Sequence, residues 1–504
     1  MKVFTALQVR NIDNETIVNE PVSSIDLMER AASCLCSRLL QLYTTTRPFI
    51  VFCGRGNNGG DGLVLARLLL QHNYDCCVYI CAGENQLSPD AAINFNRLKD
   101  AYPQSIHLIA NIGKSIEIPG NAVVIDALFG SGLTRPVQDI EAHIIDIVNS
   151  SLAEVVSVDI PSGLFAEDNS GNVGAIVKAK RTFTFEAPFL SFFFDENYQY
   201  TGNWEIMNIK LLEEAKQNTD TPYNWVQKCE VKALYKQRIR VAHKGNYGHA
   251  LLIAGSKGKT GAAVLAARAC LRTGCGLLTV RVPGSSYDIL QISCPEAMTT
   301  CDTNSDMVSS HGDISKYEAI GIGPGLGTHT HTAAMIFDLL QQSRKPMVLD
   351  ADALNILAAN RDLLANLPPN TILTPHPGEF KRLFGETNNS YEALQMQIEA
   401  SKKYNIIIVR KGAFTACSLP DGSCYFNSTG NQGMATAGAG DVLTGMILSL
   451  LAQNYEPGHA AILGMWLHGK AGDIACEKQS YESLIAGDIV DSIGKAYNVL
   501  LSEN

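Results

Sequence analysis

The chain has 504 residues, 46% hydrophobic and 18% charged, with a formal net charge of −10. That length exceeds one ordinary core and implies two domains, and the acidic balance argues against a nucleic-acid-binding surface, which needs clustered lysine and arginine. The opening "MKVFTALQVRNIDNET" lacks the apolar region of a secretory signal, and no stretch approaches the ~18 uncharged apolar residues of a membrane span, so a cytoplasmic protein without membrane contact is expected.

In chain order, "SSIDLMERAASCLCSRLLQLY" reads as a helix capped by serine, with apolar residues at helical spacing. From residue 49 to 165 short apolar runs ("FIVFCG", "CCVYICAG", "AVVIDALFG", "EVVSVDIPSG") alternate with helical patterns, the signature of a parallel sheet wound by helices. Residues 211 to 226, "LLEEAKQNTDTPYNW", are polar and aperiodic and contain proline, which suits a linker. Beyond them the alternation restarts with "HALLIAGS", "GLLTVRVP", "YEAIGIGPG", "KPMVLDADAL", "NTILTPHPGEF" and "NIIIVRKG", closing in helices from about 439. The expected fold class is α/β in two domains. The fourteen cysteines lie mostly in apolar segments without any CxxC pair, and read as buried reduced thiols.

"CGRGNNGGDG" formally satisfies GxGxxG through Gly54, Gly56 and Gly59, between a strand and a helix. Such a loop normally offers bare amides to a pyrophosphate, yet here Asp61 stands at the helix start, where its charge would repel one. Asn57 and Asn58 add side-chain carbonyls suited to a hydroxyl, an amide or a hard cation. The alternative is a tight turn with Asp61 as helix N-cap. Two further strands end in acids, Asp126 in "VVIDALFGSGLTRP" and Asp159, followed by Ser162, in "VVSVDIPSG". Ligands of open parallel sheets bind outside the carboxyl ends of strands, so the three loops are expected to meet at one crevice.

"LMERA", "GRGNNGGDG", "DALFGSGLTRP" and "SVDIPSG", in this order, resemble the N-terminal epimerase domain of the NAD(P)H-hydrate repair enzymes. The resemblance implies a Rossmann-like parallel-sheet domain over 1–215. It implies that Asn57, Asn58, Gly59, Gly60 and Asp61, the loop of Gly130, Ser131, Gly132, Leu133, Thr134, Arg135 and Pro136, and Asp159 line a hydrated NADH or NADPH. It also implies a potassium ion (K+) held by Asn58, Asp126 and Ser162. Asp159 is the candidate for acid/base work in inverting carbon 6 of the ring. One departure stands out: many family members carry a lysine soon after the "TFTF" strand, where this chain has Phe189.

In the second half "MATAGAGDVLTGMI" places Gly438, Ala439, Gly440 and Asp441 directly before an apolar helical run. Consecutive amides at a helix N-terminus form an anion hole for a transferring phosphoryl group, and Asp441 would stand beside the attacking hydroxyl as general base. The alternative is an aspartate N-cap with small residues for close packing. "IAGSKGKTG" mimics a P-loop through Lys259 and Thr260, but the first glycine of GxxxxGK[ST] would fall at Ile253, which excludes one. "GAGD" resembles the ribokinase-like superfamily. Together with "HKGNYGHALLIAGS", "GIGPGLG", "DADALN", "TPHPGEF" and "VRKGAFT" it resembles the NAD(P)H-hydrate dehydratase branch, implying a ribokinase-like α/β domain over 226–504.

That resemblance implies that Ala262, Gly325, His376 and Asp441 contact the hydrated dinucleotide. Lys411, Gly412, Ala413, Phe414, Thr415 and Gly440 are implied to contact the nucleotide, ADP or ATP, with Mg2+. His376 could otherwise be a loop histidine between prolines, and the two acids of "DADALN" could organise magnesium or cap the next helix. The implied activity is repair: one domain interconverts the R and S hydrates, and the other phosphorylates the S hydroxyl from ADP and expels phosphate, leaving AMP. A ribokinase-like small-molecule kinase with a non-catalytic N-terminal binding module is the competing reading. An oligomer of identical chains, with small-molecule ligands only, is expected.

Overall fold

A computed structural model describes residues 1–109 and 116–503. The chain divides into two compact units, one of Lys2–Thr221 with Asn389–Tyr391, the other of Met1, Pro222–Asn388 and Glu392–Asn504. Among the described residues no helix is long and apolar enough to cross a membrane. All fourteen cysteines are free thiols, most of them buried, with Cys229 exposed.

The first unit is built on seven parallel strands: β1 (Phe49–Cys53), β2 (Cys76–Ile80), β3 (Ile106–Leu108), β4 (Val123–Ala127), β5 (Glu154–Val158), β6 (Arg181–Phe185) and β7 (Asn203–Met207). They lie in the order β3-β2-β1-β4-β5-β6-β7. Every residue of β1 and β4 is buried, as a parallel sheet covered on both faces requires. The two-residue period sorts them: Phe49 and Val51 pack with Leu35, Leu39 and Leu63 on one face, while Ile50 and Phe52 pack with Ile144, Ile145 and Val148 on the other. The helix Ser24–Leu42 begins where its sequence indicates, with the Ser23 side chain accepting from the Asp26 amide. The sheet order reverses between β1 and β4, the position at which open α/β sheets present a crevice.

The second unit carries β8 (Tyr223–Trp225), β9 (His249–Ile253), β10 (Leu277–Val282), β11 (Met298–Cys301), β12 (Ala319–Ile322), β13 (Met347–Leu349), β14 (Ile372–Leu373), β15 (Ile407–Arg410), β16 (Ala416–Ser418) and β17 (Cys424–Phe426). Their order is β11-β10-β9-β12-β13-β14-β15-β16-β17-β8. The pairings are parallel except β15 with β16 and β16 with β17. Here the reversal falls between β9 and β12. Two apolar helices, Ala439–Ala452 and Pro457–Cys476, are buried along most of their length and join one core with β9 and β10.

Residues 211–226 are not an open linker. They form a short helix, Glu213–Asn218, and then β8, which pairs in parallel with β17. The segment looks aperiodic because a six-residue helix and a three-residue strand are too short to display a period.

Candidate active sites

In the first unit a cavity of about 510 Å³ opens at the carboxyl ends of β1, β4 and β5. The loop after β1 leads straight into the helix Asn57–Gln71, whose N-cap is Gly56 with no side-chain cap. Asp61 is therefore not the cap; it sits one turn into the helix. The approach of this loop to its neighbours demands glycine: a Cβ on Gly59 would collide with the carbonyl oxygen of Gly54. Gly59 and Gly60 are buried behind the cavity wall, whereas Asn57, Asn58 and Asp61 line it. From the loop after β4, Gly130, Ser131, Gly132 and Leu133 face the cavity, and Thr134, Arg135 and Pro136 lie beyond its lining.

Asp126, the penultimate residue of β4, is fully enclosed. Its Oδ2 accepts from Ser157 Oγ at 2.7 Å and from the Ser162 amide at 2.8 Å, and Oδ1 has a longer bond of 3.4 Å from the Leu128 amide. Ser162 Oγ accepts from the Phe129 amide at 2.8 Å. Burial raises Asp126 above its ordinary value, with the Ser162 and Ser157 donors pulling against it. Asn58 is 8% exposed, and both its side-chain oxygen and nitrogen lack a partner. A buried amide without partners is costly. Its oxygen and the lightly engaged Oδ1 of Asp126 are neutral and anionic oxygen donors of the kind a hard monovalent cation takes.

Asp159 follows β5 with φ of 64°, a left-handed conformation costly for a residue with a Cβ. Removal from bulk water raises it to about 6, against hydrogen bonds from the Phe185 and Ser131 amides. Asp61 is raised well above the usual carboxylate range by burial and then by Asp159, Asp13 and Asp90. Phe189 is packed among Ile160, Leu164 and Phe192 and points no polar group into the cavity. Among the lining residues not singled out from sequence as site residues are three charged ones: Arg10 and Asp13 on the helix Ala6–Asn19, and Arg55.

In the second unit the helix Ala439–Ala452 starts from Gly438, whose φ of 87° is left-handed, and no side chain caps it. Its first-turn amides are left as donors, and Asp441 lies in that turn; it is not the cap. Burial, then Asp350, raises Asp441 to about 7; Lys411 pulls it down, and Asp352 and Glu379 push it up. Lys411, just after β15, bonds Asp350 Oδ1 at 2.8 Å and lies 3.9 Å from Glu379. Burial disfavours its charge, but Asp350 and Glu379 hold it above its ordinary value. Asp350 also accepts from Thr444 Oγ1 at 2.6 Å. A Cβ on Gly440 would stand 3.1 Å from Lys411 Nζ, so lysine and helix end face each other closely.

Asp352 accepts from the Gly327 amide at 2.8 Å and pairs with Lys259 at 3.3 Å. Both acids of "DADALN" therefore already have partners, and the residue between them, Ala351, has a φ of 49°. Gly325 lies against Lys259 and Ala262, with its carbonyl accepting from Ser256. His376 caps the helix Pro377–Phe384: its Nδ1 accepts from the Gly378 amide at 3.0 Å while Glu379 accepts from the His376 amide. An accepting Nδ1 puts the ring proton on Nε2, which faces Glu379 at 3.4 Å. Gly412 and Ala413 are exposed at the turn between β15 and β16, where Thr415 Oγ1 donates to the Gly412 carbonyl. His468 was not singled out from sequence; it lies beside Ala439 and burial lowers it to about 4, and the groups that act on it, Ala439 and Lys411, come from elements about 30 and 60 residues earlier.

Two α/β domains, each gathering polar loops at the carboxyl ends of a largely parallel sheet, define a two-site enzyme. Residues 24–190 match the YjeF-related protein N-terminus family and residues 250–495 the NAD(P)H-hydrate dehydratase family. The bifunctional NAD(P)H-hydrate repair enzyme Nnr of Moorella thermoacetica is 34% identical over 97% of this chain and 96% of its own. That of Thermofilum pendens is 32% identical over 99% and 97%. A ribokinase-like superfamily protein from Enterococcus faecalis V583 superposes with a TM-score of 0.50 at 26% identity, over 56% of this chain and 98% of its own. The chain belongs to the family of bifunctional NAD(P)H-hydrate repair enzymes.

Proposed function

We propose that the protein restores hydrated NADH and NADPH, with an epimerase domain over 1–215 and an ADP-dependent dehydratase domain over 226–504. The observation that carries the reading is Asp441, held at about 7 in the first turn of an uncapped helix facing Lys411. A base poised near neutrality matches general-base work. Asp441 takes the proton of the C6 hydroxyl as its oxygen bonds the terminal phosphorus of ADP and the bond to the AMP oxygen breaks. The first-turn amides, Gly440 and Lys411 hold the phosphoryl oxygens. Loss of phosphate then follows, as the ring nitrogen's electron pair expels it and C5 gives up a proton. Hydroxide would leave poorly; phosphate leaves well. Ala262, Gly325 and His376 bind the hydrated dinucleotide, and Gly412, Ala413, Phe414 and Thr415 flank the nucleotide.

Magnesium binds chiefly through phosphates and water. Because Asp350 and Asp352 are engaged by Lys411, Thr444, Lys259 and Gly327, Mg2+ would be held chiefly by the nucleotide's phosphates and would neutralise their charge. In the first domain K+ would be held by Asn58, Asp126 and Ser162, supported by the partnerless Asn58 amide. It would supply positive charge beneath the ring-binding cavity. The hydrated nicotinamide occupies that cavity, between Asn57, Asp61, Asp159 and the Gly130–Leu133 turn.

The test incubates the protein with hydrated NADH, ADP and Mg2+ while following the return of NADH absorbance. Complete recovery from a mixture of epimers supports both activities. Recovery of only the S form removes the epimerase, and no recovery together with phosphorylation of an unrelated alcohol removes the whole reading.

A further inference from the structure

The helix Ala6–Asn19 turns one face to the first cavity: Ala6, Val9, Arg10, Asp13 and Ile17 all line it, at helical spacing. One flank is buried, with Ile12 packed against Leu27, Ala31 and Ile209, and the side away from the cavity, Leu7, Asn11, Glu15 and Val18, is exposed. Asp13 thus holds a position that the surrounding apolar residues would suit for packing, yet it carries a carboxyl group into the cavity. Asp159 and Asp61 line the same cavity, as does the partnerless Asn58 side chain, more than nine-tenths buried. A buried amide awaiting a partner points to a ligand in this space. The charged groups around Asp13 are Arg10 on its own helix, Arg55 after β1, Asp61, Asp159 and, more distantly, Glu186, which Lys216 pairs at 2.5 Å.

Resting on the epimerase reading, we propose that Asp13 is a second catalytic residue of the first site, the acid that works opposite Asp159 as base. In the forward half, the Asp159 carboxylate takes the C6 hydroxyl proton, the C6–O bond becomes a carbonyl and the C6–N1 bond breaks. The electron pair released on N1 takes the proton of the Asp13 carboxyl group. Rotation about the C5–C6 bond presents the other carbonyl face. Ring closure returns the N1 proton to Asp13 and the Asp159 proton to the oxygen, so nothing is consumed. Burial, followed by the charges of Asp159 and Glu186, raises Asp13 to about 7, while Asp159 lies at about 6. Near neutrality the pair therefore offers one protonated and one ionised carboxyl group, the division of labour that paired catalytic acids use.

The experiment measures interconversion of purified R and S hydrates without ADP, from pH 5 to 9, in the wild-type full chain, Asp13→Asn and Asp13→Glu. Asp13→Asn is expected to lower kcat on the order of 10²–10⁴-fold, the usual weight of one acid–base group, with KM moved only a few-fold. It should also abolish the fall in rate above about pH 7 that loss of the Asp13 proton imposes. Asp13→Glu should restore part of the rate and the alkaline limb, and dehydration of the S hydrate with ADP should stay normal in both variants. An Asp13→Asn kcat within threefold of wild type, or a loss with the alkaline limb unchanged, overturns the assignment while leaving the epimerase reading intact. A wild-type protein that does not interconvert the epimers overturns both.

Discussion

At the scale of single residues, the same physics that activates a group also weakens the fold around it. Asp441 lies at about 7, against about 3.9 in an unfolded chain. The group is protonated in both states at low pH and contributes nothing there. Between about pH 4 and 7 the unfolded chain holds fewer protons, so stability falls as pH rises, and above 7 the full penalty persists. Asp441→Asn is therefore expected to raise the melting temperature at pH 8 and leave it nearly unchanged at pH 4, as scanning calorimetry would record. The same substitution should lower dehydration on the order of 10²–10⁴-fold and spare epimer exchange. In the wild type, dehydration should drop about tenfold per pH unit below 7 and level off above it. A variant that keeps wild-type dehydration removes Asp441 from the role of base.

At the scale of elements, both proposed sites rest on helix N-termini without side-chain caps, beginning after Gly56 and at Gly438. Ser, Thr, Asp and Asn are the preferred caps for those amides, and Ser23 is one here. Gly438 is the sharper case, because its φ of 87° costs an L residue about 1–2 kcal/mol, and a Cβ there would also crowd Leu265. Gly438→Ala should therefore destabilise the protein by at least about 1 kcal/mol in urea unfolding. It should also weaken nucleotide use, read as a raised KM for ADP with KM for the hydrate little changed. Strongly periodic elements such as Ser24–Leu42 were legible from sequence. The helix Ala6–Asn19 was not, because Arg10 and Asp13 interrupt the apolar stripe on the face turned to the cavity. Strand β8 was hidden for a different reason: its partner β17 lies some 200 residues later, and short non-local pairings leave no local pattern.

At the scale of the whole molecule, two sheets of different order carry the proposed sites: loops after β1, β4 and β5 beside the β1/β4 reversal in one, and in the other segments after β9, β12, β13, β14 and β15 with the helix Ala439–Ala452. The two sites therefore have separate residue sets, and substitutions should separate the two activities. Asp126→Ala removes the acceptor of the Ser157 and Ser162 bonds and one proposed K+ ligand. It should slow epimer exchange at least tenfold and erase its response to exchanging K+ for Li+, while dehydration of the S hydrate continues. Parallel loss of both activities would show that the substitution unfolds the chain. If Asp441 is the base as proposed, its fixed geometry would accept one epimer only, and an epimerase on the same chain would supply the dehydratase from the other, which gives the fusion a physical reason.

The α/β class, the two-domain plan and the glycine-acid loops at strand ends were legible in the sequence alone, because apolar runs of strand length and the glycine-acid clusters after them are local patterns. It took the folded chain to put Asp61 inside a helix rather than at its cap with its carboxyl pushed upward, to place Phe189 in a core, and to join Asp350, Lys411 and Thr444 in one network. Protonation and partnership depend on burial and on charges brought from distant parts of the chain, and no local stretch of sequence carries either.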